Sequence, residues 1–107
     1  LTEFQKLQAD IHGMACNKGW WDTPRKPLEV HALVSSEIGE ATEEVRKGSP
    51  YLYYEGEKPE GEAVELGDAI IRILDYAQRN GWDMEDIIHK KMAYNKTRPY
   101  RHGGKTV

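Results

Sequence analysis

The chain carries one cysteine in 107 residues, Cys16, which excludes an intramolecular disulfide as a source of stability. It has neither a charged-then-apolar leader nor a run of about 18 apolar residues, the patterns that mark export or a membrane span. These absences predict a cytoplasmic protein in a reducing setting, with no membrane partner. There is no Gly-x-x-x-x-Gly-Lys-Ser/Thr loop to cradle phosphates through backbone N–H groups, and "HGGK" at His102 to Lys105 is too short to serve as one. Also missing are a helix-turn-helix, a zinc finger and a strand-borne aromatic motif, the usual frames for reading nucleic acid. What remains is a chain long enough for one core, burying roughly 65% of its unfolded surface.

Charge is present but segregated. Net charge is −3, yet Glu37 to Asp68 holds ten acids against Arg46, Lys47 and Lys58, while Ile87 to Val107 holds six Lys or Arg and no acid. The segment Lys90 to Lys105 interleaves aromatics with cations, as nucleic-acid-binding segments do. A noncatalytic helical interaction module that binds nucleic acid through this stretch is therefore the alternative reading. The acidic overall balance and the missing motifs weigh against it.

Hydrophobic spacing predicts four helices. Phe4, Leu7, Ile11 and Met14 recur at helical intervals after Thr2, placing a first helix at about 2–17. Pro24 and Pro27 break the chain. A second helix runs over about 28–47, ended by Gly48 and Pro50, and a third over about 61–80, closed by Gly81 as a left-handed cap. Asp83 caps a fourth helix to about Asn95. The tyrosine-rich stretch from Ser49 to Gly61 reads as a loop, and no strand is evident. The expected fold is all-α, a four-helix bundle in a single domain.

The third helix is unusual. At about 100° per residue, Glu65, Asp68, Arg72, Asp75 and Arg79 fall in a sector of about 80°, while Val64, Leu66, Ile70, Ile71, Ile73 and Leu74 spread around much of the rest. A narrow ionic stripe on an apolar cylinder predicts a central helix whose remaining apolar surface calls for a second subunit.

Glu37, Glu40 and Glu44 stack at i, i+3 and i+7 on the second helix, and Glu65 and Asp68 repeat the i, i+3 spacing on the third. A solvated face explains such acids on a generic surface helix. On helices this apolar it does not, because acids are rarely buried unless paired or metal-bound. Arg72 and Arg79 answer only part of the charge. If the two helices pack side by side, each like pair at about 4 Å repels by roughly 4 kcal/mol, and a divalent cation relieves it. Oxygen donors without Cys or His select Mg²⁺, or Mn²⁺ in its place, and such ions leave positions for water and substrate phosphates. A di-iron carboxylate bundle would need Glu-x-x-His on two helices, whereas Glu40 and Asp68 occupy those i+3 positions. Phosphate binding then falls to Lys91, Asn95 and Arg98 on the fourth helix and its end, which otherwise form a solvated basic face. Trp20 and Trp21 serve either as core plugs or as base-stacking platforms.

This pattern resembles the MazG-like all-α nucleoside triphosphate pyrophosphohydrolases. Their signature, Glu-Glu-x-x-Glu followed after a gap by Glu-x-x-Asp, is matched by "SEIGE" at Ser36 to Glu40 and "ELGD" at Glu65 to Asp68. "GWWDTPRKP" before and "KKMAYNKTRPYRHGGK" after extend the likeness over nearly the whole chain. The resemblance implies metal-dependent cleavage of a nucleoside triphosphate to the monophosphate and pyrophosphate, in nucleotide-pool housekeeping, by a homodimer or a dimer of dimers. Phosphoribosyl-ATP is the alternative substrate within the superfamily. By position, Glu37, Glu40, Glu65 and Asp68 would hold the metal; the resemblance does not assign which carboxylate takes the proton from the attacking water, and Glu40 is the preferred candidate. Lys91 and Asn95 would contact phosphate and sugar, and His12, Trp21 and Arg79 match substrate-contacting positions of the dCTP-cleaving branch. Ser36 stands where the signature has its first glutamate, and Lys47 and Arg72 stand where that branch tends to have aromatics. The number of metals and the base preference are thus left open.

Overall fold

The computed structural model describes residues 1–100, so Arg101 to Val107, including the "HGGK" stretch, lie outside the described residues. Helix α1 (Glu3–Asn17) opens with a capping box. The Thr2 hydroxyl accepts from the Gln5 N–H at 3.1 Å and the Gln5 side chain accepts from the Thr2 N–H at 3.0 Å, so two otherwise orphaned donors are satisfied. Helix α2 (Pro27–Arg46) begins on Pro27, whose missing N–H costs nothing in a first turn. Helix α3 (Glu62–Arg79) follows a short hairpin, and helix α4 (Met84–Lys96) starts at Asp83, whose carboxylate accepts from the Asp86 N–H at 3.2 Å. Gly81 adopts φ 73°, which lets the Trp82 N–H reach back to the Ala77 carbonyl at 2.9 Å and close α3 as a left-handed cap should.

The hairpin corrects the reading of residues 49–61 as a loop. Strands β1 (Tyr53–Glu55) and β2 (Lys58–Glu60) pair antiparallel, with Tyr53 opposite Glu60 and Glu55 opposite Lys58. Gly56, at φ 63°, begins the two-residue turn that this register requires. The Tyr53 hydroxyl donates to Glu44 Oε1 at 2.8 Å and fastens the hairpin to α2, a bond that also raises the phenol pKa above its usual range. Gly61 then joins β2 to α3 at φ 121°, where a Cβ would overlap the carbonyl groups of Tyr51 and Pro50. Only glycine fits there, and the close pass sets where Glu65 and Asp68 enter.

Helix α3 is central, packed along α2 on one side and α1 on the other, with β2 near its start. The small buried side chains Ala41, Ala69 and Ala77 permit close helix approach, with Val30 and Leu74 completing the buried apolar set. The described residues are mostly helical, in line with the all-α expectation, and helix α4 is the least packed of the four helices. It rests lightly on α1 and has no buried residue. Its start is tied down by polar bonds, Thr2 Oγ1 donating to Glu85 at 2.9 Å and Gln5 Nε2 to Asp83 at 3.0 Å. The inward side of α3 carries Glu65 and Asp75 among its buried residues, while Leu66, Ile70, Ile71 and Ile73 are exposed on this single chain.

Candidate metal centre and adjoining cleft

The pairing of α2 with α3 brings the two carboxylate motifs together. Glu37 from α2 and Glu65 and Asp68 from α3 each offer an oxygen, all within 4.8 Å of one another. Opposed ligands of a Mg²⁺ bound at 2.0–2.1 Å stand about 4.2 Å apart, so small rotamer adjustments close the set on a hard ion. Glu65 is 8% exposed, and its Oε2 is buried with no hydrogen-bond partner among the described residues. An ionised oxygen in that position carries an uncompensated desolvation cost of at least a few kcal/mol. The chain bears part of this strain as a shifted titration. Burial, then the neighbouring carboxylates of Glu40, Asp68 and Glu37, push the Glu65 carboxyl from 4.5 up to about 7. Asp68 is raised too, by burial and Glu37, with Arg72 opposing. Glu40 is exposed and stands outside the 4.8 Å set, close enough to Glu65 to act on its proton.

Arg72 is the cation beside these acids. Its Nε donates to Glu37 Oε1 at 3.0 Å, and its guanidinium carbon lies 4.8 Å from the centre of the Trp20 ring. Arg25 covers the same ring at 3.6 Å while its Nε donates to the Trp20 carbonyl at 3.1 Å and its Nη1 to Glu29 at 2.7 Å. Trp20 is thereby fixed in the wall of an open cleft of about 340 Å³ that also touches Glu37, Asp68, Arg72 and Asp75.

Three of the remaining expected residues gather around Asp75. This buried carboxylate accepts from His12 Nδ1 at 2.7 Å and from Trp21 Nε1 at 2.9 Å, and Arg79 lies over the Trp21 ring at 4.9 Å. Cys16 Sγ stands 3.5 Å from His12 Nε2 on the exposed side. Asp75 was visible in the ionic stripe, yet nothing in the spacing marks it as the hub, because its partners come from α1 and the turn after it. Lys58 and Glu60 were also missed. The hairpin sets their 2.8 Å ion pair at the rim, where Glu60 acts on the Asp68 carboxyl and Lys58 feels Glu65. A Gly-containing two-residue turn between tyrosine- and charge-bearing flanks was the available signal.

Glu44, stacked with Glu37 and Glu40 in the sequence, is taken up by Tyr53 and is a hairpin anchor. Lys91, Asn95 and Arg98 are not brought to the acid cluster within one chain. They lie on α4 and its end, where the Lys91 ammonium and the Arg98 guanidinium approach the Tyr94 ring at 5.0 and 5.9 Å. Ser36 donates to its own helix at the Leu33 carbonyl, 2.7 Å away, and is exposed. Among the described residues no helix is long and apolar enough to cross a membrane. Comparisons with protein-family models, curated proteins and solved structures find no match for this chain.

Proposed function

We propose that this chain is a divalent-cation-dependent nucleoside triphosphate pyrophosphohydrolase of the MazG-like kind, cleaving a (d)NTP to the (d)NMP and pyrophosphate and serving nucleotide-pool housekeeping. The observation that carries the reading is the buried oxygen of Glu65, unsatisfied among the described residues, on a carboxylate that converges with Glu37 and Asp68, two residues that line the Trp20 cleft. A buried ionisable group short of a partner, set in a cleft, is where function is to be sought. Hard oxygen donors fit Mg²⁺ or Mn²⁺, held by Glu37, Glu65 and Asp68 with Glu40 alongside. Such an ion supplies neutralising charge for a polyphosphate and lowers the pKa of an attacking water.

The side chains divide the remaining work. Glu40, exposed beside the cluster, takes the proton from the attacking water. Trp20, immobilised by Arg25, offers an aromatic wall for the base, and the His12, Trp21 and Arg79 group around Asp75 lines the approach. Lys91, Asn95 and Arg98 reach the phosphates and sugar from a neighbouring copy, in a homodimer or a dimer of dimers. That assembly covers the exposed Leu66, Ile70 and Ile73 of α3 and Ile87, Ile88 and Met92 of α4.

The test is product identity over canonical and modified (d)NTPs and phosphoribosyl-ATP with Mg²⁺ or Mn²⁺. Pyrophosphate, and no orthophosphate, is expected from at least one substrate, with activity abolished by a chelator. Orthophosphate as the primary product, or no turnover across the panel, contradicts the reading.

A further inference from the structure

We propose that Arg72 is a resident counter-ion of the acidic centre that yields Glu37 to an incoming divalent cation and then holds a phosphate oxygen of the substrate. The proposal rests on the metal-dependent reading above and adds a residue and an order of events to it.

Three observations lead there. Arg72 and Glu37 form a largely desolvated pair, their side chains 27% and 10% exposed, and Glu37 is one of the three convergent oxygen donors. A metal and this guanidinium therefore compete for one carboxylate. Second, only Nε is spent on Glu37. Among the described residues no hydrogen bond engages the two terminal nitrogens, in a residue that lines the cleft. A guanidinium presents five N–H donors in a fork suited to phosphate oxygens, so most of its capacity is unused. Third, the guanidinium already lies 4.8 Å from the Trp20 ring, so it can leave Glu37 while keeping a cation–π contact in the cleft. Arg25, the other cation on that ring, is committed to Glu29 and the Trp20 carbonyl and cannot take this part.

One consequence is linkage. Occupation of Glu37 by a metal frees the fork for a polyphosphate, so each ligand favours the other by the same factor. A second is selectivity for charge: a substrate with phosphates beyond the first uses the fork, and a nucleoside monophosphate does not.

The experiment compares wild type, Arg72→Gln and Arg72→Lys by Mn²⁺ titration calorimetry without nucleotide. It then measures binding of a triphosphate with a nonhydrolysable α,β linkage, and of the matching monophosphate, at saturating Mn²⁺. Arg72→Gln is expected to bind Mn²⁺ about tenfold more tightly, the scale of losing one competing charged pair. It should bind the triphosphate at least about tenfold more weakly, with monophosphate affinity changed less than about twofold. Arg72→Lys, which keeps the charge and loses the fork, should leave Mn²⁺ affinity near wild type and still weaken the triphosphate. Unchanged or weaker Mn²⁺ binding by Arg72→Gln, or equal losses for triphosphate and monophosphate, overturns the proposal. If circular dichroism shows Arg72→Gln unfolded, the Arg72→Lys triphosphate-to-monophosphate ratio decides instead. Absence of pyrophosphate release by wild type would sink the assigned reaction, whereas the Mn²⁺ comparison would still report on the exchange.

Discussion

Glu65→Gln is expected to abolish the rise in melting temperature that Mg²⁺ or Mn²⁺ gives the wild type, and to lower pyrophosphate release by more than about 100-fold. Loss of groups that merely support a ligand costs 10–100-fold, so loss of a buried direct ligand costs more. The same variant is expected to be more stable than wild type when metal-free at pH 8. In the folded chain the Glu65 carboxyl titrates at about 7, against 4.5 when exposed. Between those values the folded state binds the extra proton, so metal-free stability falls as pH rises from about 4.5 through about 7 and stays low above it. Burial and the neighbouring carboxylates thus make the charged form of Glu65 the costly one in the metal-free chain. Asp68, raised as well, adds to the same trend. Glutamine carries no such cost and offers its amide N–H groups to Glu40 and Glu37. Thermal melts in chelator at pH 5 and pH 8 check this: wild type should lose stability across the window far more than Glu65→Gln. Parallel pH dependence in the two proteins would remove Glu65 as the strained group.

Asp75→Ala should be among the most destabilising single changes in the chain. It strips the acceptor from His12 Nδ1 and Trp21 Nε1 at once and opens a gap where α1 and the following turn meet α3. Leaving two part-buried donors unpaired costs on the order of 3 kcal/mol, and a domain of this size loses about 4–8 °C per kcal/mol. A drop in melting temperature of more than about 10 °C is therefore expected by differential scanning calorimetry. Arg79→Ala provides the contrast, since an exposed cation–π contact is worth about 0.5–1 kcal/mol. Similar drops for the two variants would show that Asp75 is not the hub of this cluster.

The helices were legible because their ends carry local chemistry: the Thr2 box, Pro27 at a first turn, Asp83 as a cap and Gly81 in a left-handed conformation all act within a few residues. The convergence of Glu37 with Glu65 and Asp68 was legible for a related reason. Carboxylates at i, i+3 on two apolar helices leave few arrangements in which the apolar residues are buried and the acids answered. The hairpin escaped because its strands are three residues each and one of them contains Pro59, which demotes a strand in any pattern reading. The role of Asp75 escaped because its partners, His12 and Trp21, are 63 and 54 residues away and no periodicity links them. Helix α4 was legible as an element, but its packing was not. Its caps predict a helix but say nothing of what it packs on, and in one chain it packs on little.

The account stands on hard-ion binding by oxygens from α2 and α3, and anomalous diffraction from crystals grown in Mn²⁺ tests that most directly. The expected result is an anomalous peak in contact with Glu37, Glu65 and Asp68, with Arg72 withdrawn from Glu37. Mn²⁺ found only at other carboxylates, with Arg72 still paired to Glu37 at millimolar metal, would contradict it.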